Sequence, residues 1–246
     1  MAISTNSIIH YTDTIDKLTS ILSEGFSIKY CAEELQIEND MGSNAAHPMV
    51  SFCDIPLSHS AKHFDAYGKY GIGLSKDWAN TMGVNPVLYL ETKSSISKTI
   101  GSLLADRRKT STNLTKEQKE NVLRIKCFSK NYSGHLKRKK IDEKNYRFYD
   151  EREWRLVPEL EQLNSASFSI GLVSYETDKE KYNDKLKDLR FIFKPKDISY
   201  IIVDKTNEIP KIINLLRSKY SDKCTAQELD ILFSKICSTQ QIKDDY

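Results

Sequence analysis

At 246 residues, with 39% apolar and 29% charged residues and a formal charge of +3, the chain can bury one sizeable core and is too polar to be built for a bilayer. No stretch reaches the roughly 18 apolar residues of a membrane span, and residues 1–7 lack the basic and apolar regions of a leader, so a cytoplasmic location is expected. Five cysteines (Cys31, Cys53, Cys127, Cys224, Cys237), odd in number and without a Cys-x-x-Cys pair, argue against a disulfide framework and a zinc ribbon, and reduced, mostly buried thiols are expected.

Residues 7–12 (Ser-Ile-Ile-His-Tyr-Thr) read as a strand, and 14–23 as a helix with Ile15, Leu18, Ile21 and Leu22 on one face and Gly25 closing it. A strand over 49–55 ends at Pro56, a short helix over 58–67 takes Ser58 as its cap and stops at Gly68, and 70–74 is the next strand. Ser75 caps a helix reaching Thr81, and Asn85-Pro86 turns into a strand over 87–91. Helices follow over 95–104 and 115–129, the second with Thr115 as cap and Gln118 as its reciprocal partner. Residues 137–144 read as a charged loop. Later strands are expected at 153–157, 167–174, 189–193 and 200–203, with helices at 210–220 and 226–237. The pattern is one α+β domain over 1–246, with a basic helical insert at 95–145, a C-terminal helical segment at 208–246 and no internal repeat.

Charge is unevenly spread. Residues 98–140 hold 13 Lys/Arg against 3 Asp/Glu, a surplus of 10 that leaves the rest of the +3 chain at −7. A concentrated positive field suits a polyanion, because each neutralised phosphate releases condensed counterions, although a solvated helix pair has the same composition. Arg107, Arg108 and Lys109, with Lys137, Arg138, Lys139 and Lys140, are the candidate nucleic-acid contacts, and Tyr132 and Tyr146 can stack on an exposed base. An exposed base favours RNA or single-stranded DNA over duplex.

The densest chemistry lies in Tyr149-Asp150-Glu151-Arg152-Glu153-Trp154-Arg155-Leu156-Val157-Pro158. In an extended chain Glu151 and Glu153 point to one face, where two carboxylates can meet a single ligand; the alternative is an ion-paired turn neutralised by Arg152 and Arg155. Tyr146, Phe148, Tyr149 and Trp154 beside them suit a flat cationic ligand. His10, Tyr11 and Thr12 collect three hydrogen-bonding side chains at a strand end. His59 and His63 have helical i, i+4 spacing, but Ser60 stands where a zinc protease needs Glu and no third ligand is in register, so no metal is expected. Gly68, Gly71 and Gly73 lack the G-x-G-x-x-G order of a dinucleotide fold.

Three runs carry a resemblance: His47-Pro48-Met49-Val50-Ser51-Phe52-Cys53-Asp54-Ile55-Pro56-Leu57-Ser58, Tyr67-Gly68-Lys69-Tyr70-Gly71-Ile72-Gly73-Leu74-Ser75-Lys76-Asp77-Trp78, and Tyr149 to Arg155. In their order and spacing, over roughly residues 8–205, the chain resembles the AbiGi family of bacterial phage-defence proteins, usually labelled antitoxins. More distantly, His10 on a first strand, a helix ending in Gly25-Phe26, an aromatic strand and a late Glu resemble ADP-ribosyltransferases, including the DarT group that modifies DNA bases. That resemblance implies an α+β fold of two small packed β-sheets with surrounding helices, and NAD as co-substrate. It also implies His10, Tyr11 and Thr12 at the ribose, with Ser51 and Phe52 beside them, and Tyr67 or Tyr70 on the nicotinamide. Glu153 would be the catalytic carboxylate and Glu151 would serve the acceptor. The Ser-Thr-Ser element of the arginine-modifying branch is absent, Tyr11 stands where the poly(ADP-ribose) polymerase branch has Gly, and no residue matches the acceptor-side arginine of DarT. The expected role is an antiphage effector that transfers ADP-ribose to RNA or single-stranded DNA and is held by a cognate antitoxin. The alternative is a non-enzymatic antitoxin that holds a partner toxin.

Overall fold

The computed structural model describes residues 4–38, 42–138 and 141–245. β1 (Ser7–Thr12) and α1 (Ile15–Glu24) open the chain, followed by β2 (Phe26–Ser27), β3 (Lys29–Leu35) and the long β4 (Ser43–Cys53). Next come α2 (Ala61–Tyr67), β5 (Tyr70–Ser75), α3 (Lys76–Thr81), β6 (Asn85–Pro86) and β7 (Leu88–Leu90). The basic region forms α4 (Ser95–Arg108), α5 (Lys116–Cys127), β8 (Ser129–Asn131), β9 (Gly134–Arg138) and β10 (Ile141–Tyr146). After β11 (Glu153–Leu156) and β12 (Ile170–Gly171) lie α6 (Leu172–Thr177), α7 (Lys179–Asp184), β13 (Arg190–Phe191) and β14 (Ile198–Val203). The chain closes with α8 (Ile209–Tyr220), α9 (Ala226–Phe233), β15 (Ile236–Ser238) and α10 (Thr239–Asp245).

Local chemistry explains many boundaries. Thr14 and Ser75 accept from the backbone N–H groups of Lys17 and Trp78, and Thr115 with Gln118 makes a reciprocal capping box on α5. Each such cap contributes about 1 kcal/mol. Several expectations need correction. Within the charged segment 137–144, residues 137–138 lie on β9 and 141–144 on β10, which pair antiparallel and whose described side chains are mostly exposed, hiding the usual alternation. The basic insert is therefore two helices followed by strands. Helix α2 starts at Ala61, because Leu57–His59 form a separate 3₁₀ turn, so Ser58 is not its cap and His59 and His63 do not share a helix. The expected strand at 167–174 is two residues followed by α6, and the C-terminal segment contains β15, paired parallel to β14. Of the five cysteines only Cys127 is buried.

The main array has nine strands, with β15-β14-β5-β1-β4-β11-β6 along one path and β3 and β12 also paired to β4. Two small packed sheets are expected; the main array has two parts that share β4. Its 11 residues span about 36 Å, enough to pair with β3 and β12 through its first half and with β1 and β11 through its second.

Period-two alternation sorts the interior into layers. Ile8, Ile72, Leu74 and Ile201 face the main core with Leu18 and Leu22 of α1 and Ile212 and Leu216 of α8. Ile9, Tyr11 and Ile202 face the other way, against Phe64 of α2 and Ile242 of α10. The glycines of β5 fit this second layer: a Cβ on Gly73 would lie 3.0 Å from the ring of Tyr200.

Candidate functional site

Register decides which side chains meet. On β4, Ser43, Ala45, His47, Met49, Ser51 and Cys53 alternate onto one face, and the pairing of Cys53 with Glu153 and Ser51 with Arg155 brings both β11 side chains to that face. Trp154 and Leu156 fall on the opposite face and pack with the main core.

Glu153 is 5% exposed and fully partnered. Its Oε1 accepts from Ser51 Oγ at 2.7 Å and Arg155 Nε at 2.8 Å; its Oε2 accepts from Lys130 Nζ at 2.7 Å and Arg155 Nη2 at 3.3 Å. Glu151, equally buried, accepts from Tyr67 OH on one oxygen and from Lys130 Nζ at 2.8 Å on the other. Its approach is not strand alternation. Glu151 ends a 3₁₀ turn (Phe148–Glu151), and Arg152 at φ 45° and ψ 52° swings the chain into β11, so a left-handed residue brings the two carboxylates to one ammonium.

Arg155, wholly buried, extends the network. Its Nη2 reaches Glu33 Oε2 at 2.8 Å, and its Nη1 donates to the Cys127 carbonyl at 2.5 Å. Three carboxylates (Glu33, Glu151, Glu153) against two cations (Lys130, Arg155) leave a net −1. Burial alone pushes the Glu153 carboxyl up, but Arg155 and Lys130 together hold it well below the usual carboxylate range. Burial likewise opposes charge on Lys130 and Arg155, and the neighbouring carboxylates override it in both. Aromatic rings line the rim: Lys130 Nζ lies 4.9 Å from the Phe148 ring centre, and Tyr89 OH accepts the Glu153 N–H at 2.8 Å. Tyr149 stacks on Tyr132 with centroids 5.5 Å apart, and both are exposed.

The expected residues are brought together in part. Ser51, Tyr67, Glu151 and Glu153 form one cluster. His10 touches it only through the backbone: its Nδ1–H donates to the Ser51 carbonyl at 2.8 Å, while its ring packs edge-on against Phe26 and Phe52 on the opposite face of the sheet. Burial lowers its pKa, with the Ser51 bond opposing. Its contact is with the Ser51 backbone and not with either carboxylate. Phe52 is core, Thr12 is buried at the strand end, and Tyr11 OH donates to Ser60 Oγ. Tyr70 is elsewhere, bonded to Glu208, so of the two tyrosines Tyr67 is the one at the site.

The basic residues split into two groups. Arg107 donates to the Lys119 carbonyl, Arg108 to Ser43 Oγ and Lys109 pairs with Asp106, while Arg108 and Lys109 remain exposed. Ser43 is eight residues from Ser51 along β4, up to about 26 Å away, which separates that group from Glu153. Lys137 is exposed on the hairpin that leads back to Phe148, and of Arg138 only the backbone on β9 is described. Lys139 and Lys140 lie outside the described residues. Sequence reasoning missed Lys130 and Glu33; the signal available was three acids near one strand with a single obvious buried base.

Toward the NAD that the ADP-ribosyltransferase resemblance implies, the cluster offers two carboxylates and the face of Phe148, with the Lys130 ammonium lying between the acids. No group of three or more potential metal ligands occurs among the described residues. No helix among them is long and apolar enough to cross a membrane.

Comparison with known proteins gives two matches. The family model described as putative abortive phage resistance protein AbiGi, antitoxin, matches residues 24–204, a span that includes Glu33, Ser51, Lys130, Glu151, Glu153 and Arg155 but not His10. The abortive phage resistance protein AbiGi of Lactococcus lactis subsp. cremoris is 30% identical over 224 aligned residues, covering 81% of this chain and 88% of that protein. No solved structure matches.

Proposed function

Because this chain belongs to the AbiGi family of abortive phage resistance proteins, we propose that it acts in phage defence by transferring ADP-ribose from NAD to single-stranded nucleic acid, with Glu153 as the catalytic carboxylate. The observation that carries this reading is the placement of His10, Ser51 and Glu153 on three successive antiparallel strands, β1, β4 and β11, linked by two hydrogen bonds through Ser51. NAD would supply an activated glycosidic bond: the bond from ribose C1′ to the nicotinamide nitrogen breaks, one from C1′ to an acceptor oxygen or nitrogen forms, and the acceptor proton leaves. Glu153, kept ionised, stabilises the positive charge that develops on the ribose. Glu151, held at the same ammonium, receives the acceptor proton. Ser51 orients Glu153, and His10 orients Ser51. Tyr132 and Tyr149 present an exposed stacked face beside the basic hairpin, where an unpaired base of RNA or DNA can rest.

The test is nicotinamide release from NAD with and without single-stranded RNA or DNA. Wild type should release it, and Glu153→Gln should reduce the rate by about two orders of magnitude or more. No release by the folded wild type would end the transferase reading. One observation favours a second reading: every lone pair of Glu153 is already engaged by Ser51, Lys130 and Arg155. A site saturated in this way suits a non-enzymatic antitoxin, in keeping with the description of the family. Such a protein would be harmless when expressed alone and would neutralise and co-purify with a partner toxin.

A further inference from the structure

The saturation of the acid pair is itself informative, because one of its partners differs from the others. Arg155 is wholly buried, held by Glu33 and by the Cys127 carbonyl, and cannot leave without breaking the interior. Lys130 is placed otherwise. Its side chain is 15% exposed, against 3% for Glu151 and 6% for Glu153, so of these three it lies nearest solvent. Its backbone is fixed: β8 pairs with β7 at Tyr89–Lys130, and the adjacent Asn131 exchanges two hydrogen bonds of 2.8 Å with the Gln36 backbone. With the strand fixed, any movement falls to the four-carbon side chain, held by the two carboxylates, and a lysine rotates about several bonds without disturbing a strand.

The chamber that Lys130 fills has two carboxylates, the face of Phe148 and the hydroxyls of Tyr67 and Tyr89. Paired carboxylates beside an aromatic face recognise a cation, and a flat one best, because ring quadrupole and formal charge act in the same direction. We propose that Lys130 is a built-in occupant of a cation cage, and that withdrawal of its side chain opens the cage to a planar pyridinium-type cation. This rests on the reading of Glu153 as the carboxylate that faces NAD, and it adds the control of that site. With the lysine in place, the acids are neutralised and the protein idles; with it withdrawn, the acid pair can engage a positively charged ring and the ribose it is attached to.

The probes are 1-methylnicotinamide, a fixed cation, and neutral nicotinamide, titrated calorimetrically into wild type and Lys130→Met. The variant should bind the cation about tenfold more tightly than wild type, with nicotinamide unchanged. Equal cation affinity in the two proteins, or a variant that takes both probes equally, overturns the cage. Because unpaired acids can unfold the variant, a second measurement uses intact wild type: amine labelling of Lys130, followed by mass spectrometry, should be slow without ligand and accelerate with 1-methylnicotinamide. Protection unchanged by saturating cation overturns the proposal. A variant that gains cation binding while no form of the protein releases nicotinamide keeps the cage and removes the transferase reading. Release by wild type with no gain in the variant removes the cage alone.

Discussion

Two buried polar clusters lie on the same face of β4, and they treat charge in opposite ways. At Ser51, five charged groups share one network in which Glu153 and Arg155 meet partners on every side. Four residues earlier, about 13 Å along the strand, His47 and Lys126 are as deeply buried yet leave His47 Nε2 and Lys126 Nζ without a hydrogen-bond partner among the described residues. There the neighbouring charges are mostly of one sign. Burial, then Lys126, pushes the His47 imidazole down to about 3; burial, with Arg108 and Arg107 adding to it, pushes the Lys126 amine down to about 8. Thus burial lowers the pKa of a base without a paired acid, while the paired acids keep Lys130 and Arg155 charged in spite of it.

The largest effect should follow from breaking the satisfied cluster. Arg155→Met leaves Glu33 and Glu153 without their shared cation and should destabilise the protein by about 3–5 kcal/mol, read from urea unfolding. A loss under about 1 kcal/mol would mean that water reaches the acids and the network is not closed. The matching change in the unsatisfied cluster has the opposite sign: Lys126→Met should stabilise by about 1–3 kcal/mol at neutral pH, because it removes an ammonium that nothing pairs.

The same residue has a signature in pH. The folded amine titrates near 8 and the unfolded one near its ordinary 10.5, so between those values the unfolded chain binds more protons and stability rises with pH. That rise should vanish in Lys126→Met; a slope shared by both proteins would assign it to another group. His47 acts lower: its stability contribution is present above about 6.5 and is lost as pH falls toward 3. The smallest effect is expected at Glu33→Gln, about 1 kcal/mol, because its carboxylate is about a fifth exposed and water replaces part of what is lost. A cost equal to that of Arg155→Met would make Glu33 a full member of the buried core of the network.

Much of this arrangement was legible in the chain, unevenly. The strand-helix opening, the Ser75 cap and the Thr115/Gln118 box were readable because each depends on residues within four positions of one another. β3 was not, since Glu33-Glu34 inside Lys29–Leu35 interrupts any apolar alternation, and its pairing with β4 stabilises a segment whose own pattern is weak. The pairing of β9 with β10 was hidden for the same reason. The pairing of Glu151 with Glu153 was recognised, but the cause differed: a left-handed Arg152 after a 3₁₀ turn, where alternation along a strand had been expected.

By itself the sequence determined that this is one α+β chain of the AbiGi kind, with an acid pair beside aromatic residues and a basic region inserted between its strands. Only the tertiary structure decided which charges neutralise that pair. Lys130 comes from 21 and 23 residues upstream of its two acids and Glu33 from still farther; the register of β3, β4 and β11 sets Glu33, Ser51, Glu153 and Arg155 on one face, the left-handed Arg152 adds Glu151, and the β7–β8 pair brings Lys130. A slip of one residue would send Ser51 into the hydrophobic core and bring Phe52 to the acids, which is why the partners of a buried charge are fixed by pairing between distant strands and not by neighbours in the chain.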